Sequence, residues 1–130
     1  MSVAIRYCSR SGNTKKVAEY FAEATGAEAI SVDDSKAALN EKVDTLFIGG
    51  ALYAYGIDEK LKSYISTLSA DNVGKAVVFS TSWLSKHALA LIKKALEEKG
   101  IKVEADTYYV KSKGVEADQD NARSFARKFV

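Results

Sequence analysis

Short apolar runs alternate with helix-period stripes along this chain, and that alternation limits the folds open to it. The runs at 3–7, 27–32, 43–48, 76–79 and 101–110 are rich in Val, Ile, Phe and Tyr and read as strands. Between and after them lie stripes of 3.6-residue period. Val17 and Phe21 mark the first helix, and Leu61, Tyr64, Ile65 and Leu68 another. Leu84, Ala88, Leu91, Ile92, Ala95 and Leu96 form a third stripe, which Gly100 is placed to end. Ala122, Phe125, Ala126 and Phe129 form the last. The segment 35–42 is weakly striped and is read as a short helix. Short apolar strands flanked by helices fit a parallel sheet covered on both faces. The expected architecture is α/β: a doubly wound, three-layer αβα sandwich on a five-stranded parallel sheet in the order 2-1-3-4-5. Arg6 is out of place in a central strand, and its stem is expected to run along the sheet with its head at the rim.

Composition narrows the classes of function. The 130 residues are expected to form one domain, 1–130. A net charge of +2 with scattered basic residues argues against nucleic acid as a partner. No apolar run approaches the roughly 18 residues of a membrane span, and the first residues read as a strand rather than a signal peptide. One cysteine excludes an internal disulfide and suits a cytoplasmic location.

In such a sheet, ligands bind beyond the carboxyl ends of the strands, where the strand order reverses. Three loops should meet there. The first is Ser9-Arg10-Ser11-Gly12-Asn13-Thr14, between the first strand and the first helix. It offers hydroxyls, an amide and backbone N–H groups, and the helix behind it adds roughly half a positive charge. A phosphate dianion suits that set; an ordinary turn with a Ser or Asn cap is the alternative. Arg10 either reaches the phosphate or is solvated. The second loop is 49–56. Its paired Gly49 and Gly50 would let backbone approach a flat ligand, and Tyr53 or Tyr55 would stack on a ring or cover the core edge. The third, 80–85, carries Thr81, Ser82 and Trp83, the one tryptophan, with Ser85 as a helix cap. Trp83 reads as a stacking partner or a core lid.

Other chemistries fail on residues. Cys8 precedes the first loop, but Thr14 stands where a phosphatase loop of the Cys-five residues-Arg type needs its guanidinium. Cys8 is therefore read as a small buried residue. A phosphorylatable receiver domain needs acidic residues where this chain has Tyr7-Cys8 and Gly49-Gly50. His87 has no metal-ligating companions, and no triad or carboxylate pair is visible.

The first loop resembles the phosphate loop of the flavodoxins, in which a hydroxyl residue, any residue, and Thr or Ser precede Gly-Asn-Thr. Every one of those positions is matched. The second loop, running on through Asp58-Glu59-Lys60-Leu61, is similar to the flavodoxin loop beside the isoalloxazine. The third lacks the acidic, tyrosine-bearing pattern of well-studied flavodoxins. The resemblance implies bound FMN, held by Ser9, Arg10, Ser11, Gly12, Asn13, Thr14, Gly50, Ala51, Leu52, Tyr53, Tyr55, Gly56, Thr81, Ser82 and Trp83. It implies an electron carrier between redox partner proteins or, as the alternative, an FMN oxidoreductase acting on a quinone or protoporphyrinogen-type molecule. The short chain offers no extra segment for a nicotinamide or substrate, which favours the carrier.

Overall fold

Five parallel strands build the sheet: β1 (Val3–Tyr7), β2 (Ala29–Ser31), β3 (Val43–Gly50), β6 (Val73–Ser82) and β7 (Tyr108–Lys111). Between β3 and β6 sits an antiparallel pair, β4 (Leu52–Tyr53) and β5 (Gly56–Ile57). The helices are α1 (Asn13–Thr25), α2 (Glu59–Ser66), α3 (His87–Glu98) and α4 (Gln119–Arg127). The structure is a computed structural model, which describes residues 2–53, 56–82 and 86–130. The strands lie in the order β2-β1-β3-β6-β7. Counting only sheet strands along the chain, this is the expected 2-1-3-4-5 order.

Register divides the apolar residues into two layers. Ile5 pairs with Phe47, and Phe47 with Val77, so one face of three adjacent strands points to one side. On that side α1 and α4 supply Phe21, Phe125 and Phe129 against Phe47, Phe79 and Tyr108. Phe21 is the hub, with ring centroids of Phe79, Phe47 and Tyr108 at 4.9, 5.3 and 5.6 Å. On the other side Leu46, Ile48 and Val78 meet Leu61, Ile65, Ile92 and Leu96 from α2 and α3. Gly100, in the left-handed conformation at φ 76°, donates to Glu97 O and turns the chain away from α3 as expected.

The elements depart from the sequence reading in three places. The segment 35–42 is not a helix beyond one 3-10 turn, Ser35–Ala37. Asp34 caps that turn, accepting from Lys36 N at 2.8 Å, but only Ala37 is buried while Ala38, Asn40, Glu41 and Lys42 are exposed. Too little apolar surface faces the sheet to hold a longer helix. The run 101–110 is not one strand. Val103 makes a single bridge to Ala76, the chain leaves at Glu104-Ala105-Asp106, and the ladder resumes at Tyr108. Lys75 and Lys128 hold Glu104 and Asp106 by ion pairs at 3.7 and 3.3 Å, which keeps these carboxylates outside the core. The third helix begins at His87 with Lys86 before it, and Ser85, the expected cap, lies outside the described residues. Finally, the head of Arg6 is not at the rim. Arg6 is 6% exposed, donating from Nε to Ala37 O at 2.9 Å and from Nη1 to Ile5 O at 3.0 Å.

Candidate functional site

The described parts of the three loops meet at the carboxyl edge of the sheet, where Arg10 reaches Asp58 and Thr14 reaches Thr81. The first strand runs into the turn because Cys8 N still donates to Gly49 O, at 3.0 Å, before the chain lifts off the ladder. Gly12 then takes φ 93°, a left-handed value that favours glycine, and becomes the cap residue of α1. No side chain caps this helix, and its first turn holds no acidic residue. The amides at the start of α1 therefore keep the donors that a capping side chain would have taken. The ordinary Ser or Asn cap is thus not what the structure holds. Ser9 instead accepts from Gly12 N at 3.0 Å, and Ser11 accepts from Asn13 Nδ2 at 3.2 Å, which shapes the loop around its own centre.

Two of the sequence-predicted residues touch across a long separation. Thr14 Oγ1 and Thr81 Oγ1 lie 2.7 Å apart, with both residues about 1% exposed. One hydroxyl proton is used between them, and the other is available to a third acceptor. This contact ties the start of α1 to the end of β6. Ser82 is buried at the end of the same strand, and Tyr109 donates to Ser82 O at 3.3 Å.

Arg10, expected to reach the phosphate or to be solvated, has a side chain 60% exposed that also makes an ion pair. Its Nε donates to Asp58 Oδ2 at 2.8 Å, across from the first loop to the residue before α2. Asp58 also caps α2, accepting from Lys60 N at 2.9 Å. That backbone bond is the main reason its carboxyl lies below the usual range, with Arg10 helping against the opposing effect of burial. Asp58 is a residue the sequence reading did not assign to the site. Its signal was available: an Asp immediately before Glu59 and the apolar stripe from Leu61 is a helix-start pattern.

The glycine pair has a packing explanation. Both residues belong to β3, and a Cβ on Gly49 would lie 2.4 Å from Phe79 O. A Cβ on Gly50 would lie 2.7 Å from Leu61 Cδ2. Close approach to Phe79 and Leu61 already requires glycine at both positions. Ala51 is half-buried just past β3, and β4 and β5 bring Tyr53 opposite Gly56. Ala54, Tyr55, Trp83, Leu84 and Ser85 lie outside the described residues. The Cys8 thiol is pushed up to about 11, by burial first and the Asp58 carboxylate next, which leaves it protonated at neutral pH. His87 is exposed at the start of α3. Among the described residues no group of His, Cys, Asp or Glu could hold a metal ion, and no helix is long and apolar enough to cross a membrane.

A doubly wound sheet with an uncapped helix start and hydroxyl-bearing loops at its switch point defines a class: the α/β proteins that bind phosphorylated ligands at that edge. The particular family follows from comparison. The flavodoxin domain profile matches residues 4–114, and the chain belongs to that family. No curated protein matches it by sequence. Solved structures match over nearly the whole length. An archaeal flavodoxin is 20% identical, with a TM-score of 0.77, covering 98% of this chain and 95% of that one. Oxidised flavodoxin 1 from Bacillus cereus is 19% identical, with a TM-score of 0.78 and coverage of 99% and 97%. A WrbA-like flavodoxin from Agrobacterium tumefaciens is 17% identical, with a TM-score of 0.79 and coverage of 98% and 94%. Family membership makes this chain a flavin-binding electron-transfer protein.

Proposed function

We propose that the flavin is FMN and that the protein is a single-domain, cytoplasmic carrier that passes electrons between partner proteins. The observation that carries this reading is the uncapped start of α1 behind left-handed Gly12, set among Ser9, Ser11 and Thr14. That donor set suits one phosphate dianion: neutral hydroxyls and amides, a helix N-terminus, and no carboxylate in the first turn. FMN ends in one such phosphate, whereas FAD would need a second nucleotide-binding half. Ser9, Ser11, Asn13, Thr14 and the amides around Gly12 would hold the phosphate. Arg10, engaged with Asp58, would brace the loop from behind rather than clamp the ligand.

FMN when bound supplies one- and two-electron redox chemistry. The chain's own part is to bind it, to keep water from one face of the ring and to leave an edge open to a partner. The loops 49–56 and 80–85 would flank the ring, with Ala51, Leu52, Tyr53, Tyr55, Gly56, Ser82 and Trp83 as their contact residues. One of Tyr53, Tyr55 and Trp83 would stack on it and quench its emission.

Purified protein tests the reading directly. It should show a visible flavin band, and denaturation should release a compound that chromatographs as FMN. Release of FAD, or no uptake of FMN added at micromolar concentration, would refute the assignment. The isolated protein should oxidise NAD(P)H poorly with a quinone as acceptor; turnover at about 10 per second would make it an oxidoreductase instead.

A further inference from the structure

Arg6 has no part in the flavin site, and its surroundings are unusual for a buried cation. It stands in the middle of β1, between Ile5 and Tyr7, on the face shared with Ala4 and Cys8. At 6% exposure its guanidinium is met by two backbone carbonyls, Ala37 O and Ile5 O. Tyr64 adds a neutral hydroxyl, which donates to the same Ala37 O at 2.6 Å. No carboxylate pairs with Arg6 among the described residues. Carbonyl dipoles orient a guanidinium but do not neutralise it, and a buried cation without an anion is costly. Two carbonyls also leave some of its five donors unused.

Beside Arg6 lies an open groove of about 460 Å³. It exists because the segment 35–42 makes only one 3-10 turn, so no helix covers this part of the sheet. Its lining is mixed: Ala4, Ile30, Leu39 and Val43 supply apolar surface, and Arg6 is the one cation among the residues that line it. Glu28, Asn40 and Glu41 stand along it, all exposed. Val3, Glu28 and Val43 are at the amino ends of their strands, so the groove opens away from the Ser9-to-Thr14 loop.

We propose that this groove binds a small organic acid with a short apolar body, its carboxylate on Arg6 and its chain along Ile30, Leu39 and Val43. A planar carboxylate matches the guanidinium donors as no single carbonyl can. The apolar walls add burial for the ligand's hydrocarbon. Glu28 and Glu41 place negative charge at the opening, which repels a dianion such as phosphate about twice as strongly as a monoanion. The site is independent of the flavin reading, because it shares no residue with the three loops.

The test is a titration of the isotopically labelled, flavin-loaded protein with hexanoate, followed by amide and arginine Nε–H resonances. Hexanol and inorganic phosphate serve as controls. Hexanoate should saturably shift Arg6 and its neighbours Val3, Ile30 and Leu39. Hexanol should shift them at least tenfold less at equal concentration, and phosphate not at all. Arg6→Met should abolish the hexanoate shifts. Because that change also removes the bond to Ala37 O, Ala38→Trp is the second variant. Ala38 is exposed and lines the groove, so a tryptophan there should block it without touching the core. The proposal is overturned if hexanoate shifts nothing, if hexanol or phosphate matches it, or if a folded Ala38→Trp protein still responds. The flavin band and its release as FMN would be unaffected by any of these results, so the two readings fail separately.

Discussion

The two layers packed on the sheet are built from different materials. On the α1/α4 side six aromatic rings interlock around Phe21, in tilted and edge-to-face contacts. On the α2/α3 side the core is almost wholly aliphatic, with Tyr64 its one buried aromatic among the described residues. The first layer carries α1, whose N-terminus backs the phosphate loop. The second carries the chain on both sides of the hairpin loop and leaves the groove beside Arg6 uncovered. Rings have few rotamers and a preferred mutual geometry, so an aromatic layer fixes a helix more tightly than branched aliphatics do. The difference teaches that this fold spends its stiffest packing under the element that must hold a charged group in place.

Core truncations should separate the layers first. Phe21→Ala is expected to destabilise by about 3–5 kcal/mol, and Ile92→Ala by about 2–5, both in denaturant unfolding. The sharper contrast lies in binding. At matched stability, the Phe21 variant should lose more FMN affinity than the Ile92 variant, because α1 moves with its packing. Equal losses would break the comparison between layers.

Thr14→Ala comes next. Removing a hydroxyl donor to a charged group should weaken FMN by roughly 1.5–3 kcal/mol. Riboflavin, which lacks the phosphate, should bind variant and parent alike. Equal weakening of both flavins would mean that Thr14 acts through the fold, through its bond to Thr81.

The acid limb of stability should belong in part to the α2 side. The carboxyl of Asp58 lies below its usual range, chiefly through the Lys60 amide. A group with a lowered folded pKa stabilises above its unfolded value, about 4 for Asp, and that contribution is lost as pH falls through the folded value. Denaturant midpoints measured from pH 6 to pH 3 should therefore fall less steeply in Asp58→Asn than in the parent. An unchanged slope would remove Asp58 from the account. The smallest effect is expected of Arg10→Gln. Its side chain is 60% exposed, so loss of the ion pair to Asp58 should cost at most about 1 kcal/mol of stability. It should also lower FMN affinity less than Thr14→Ala does. A larger loss would return Arg10 to the phosphate.

The strand order and the first loop were legible in the sequence because each rests on local pattern: apolar runs of fixed length, and six loop residues in a row. What was not legible depended on partners far along the chain. Arg10 finds Asp58 48 residues away, and Thr14 finds Thr81 67 away. No periodicity announces either pair. The glycines of β3 looked like a ligand feature and are accounted for by Phe79 and Leu61. Arg6 was visible as an anomaly, but its burial depended on the missing helix at 35–42. That helix failed because six of its eight residues face water, which a weak stripe could only hint at.

Gly12 has a consequence for the abundance of the protein. A helix start with glycine in place of an ordinary Ser or Asp cap forgoes only a few tenths of a kcal/mol, but it leaves its amide donors without a side-chain acceptor. The native state therefore holds in reserve a stabilisation that only an arriving anion can release. By mass action, a ligand at a hundred times its Kd adds about 2.7 kcal/mol to the folded state. The melting temperature should climb with added FMN and hardly move with riboflavin. In a growing cell, the fraction of this chain that survives proteolysis would then follow the supply of the phosphorylated vitamin.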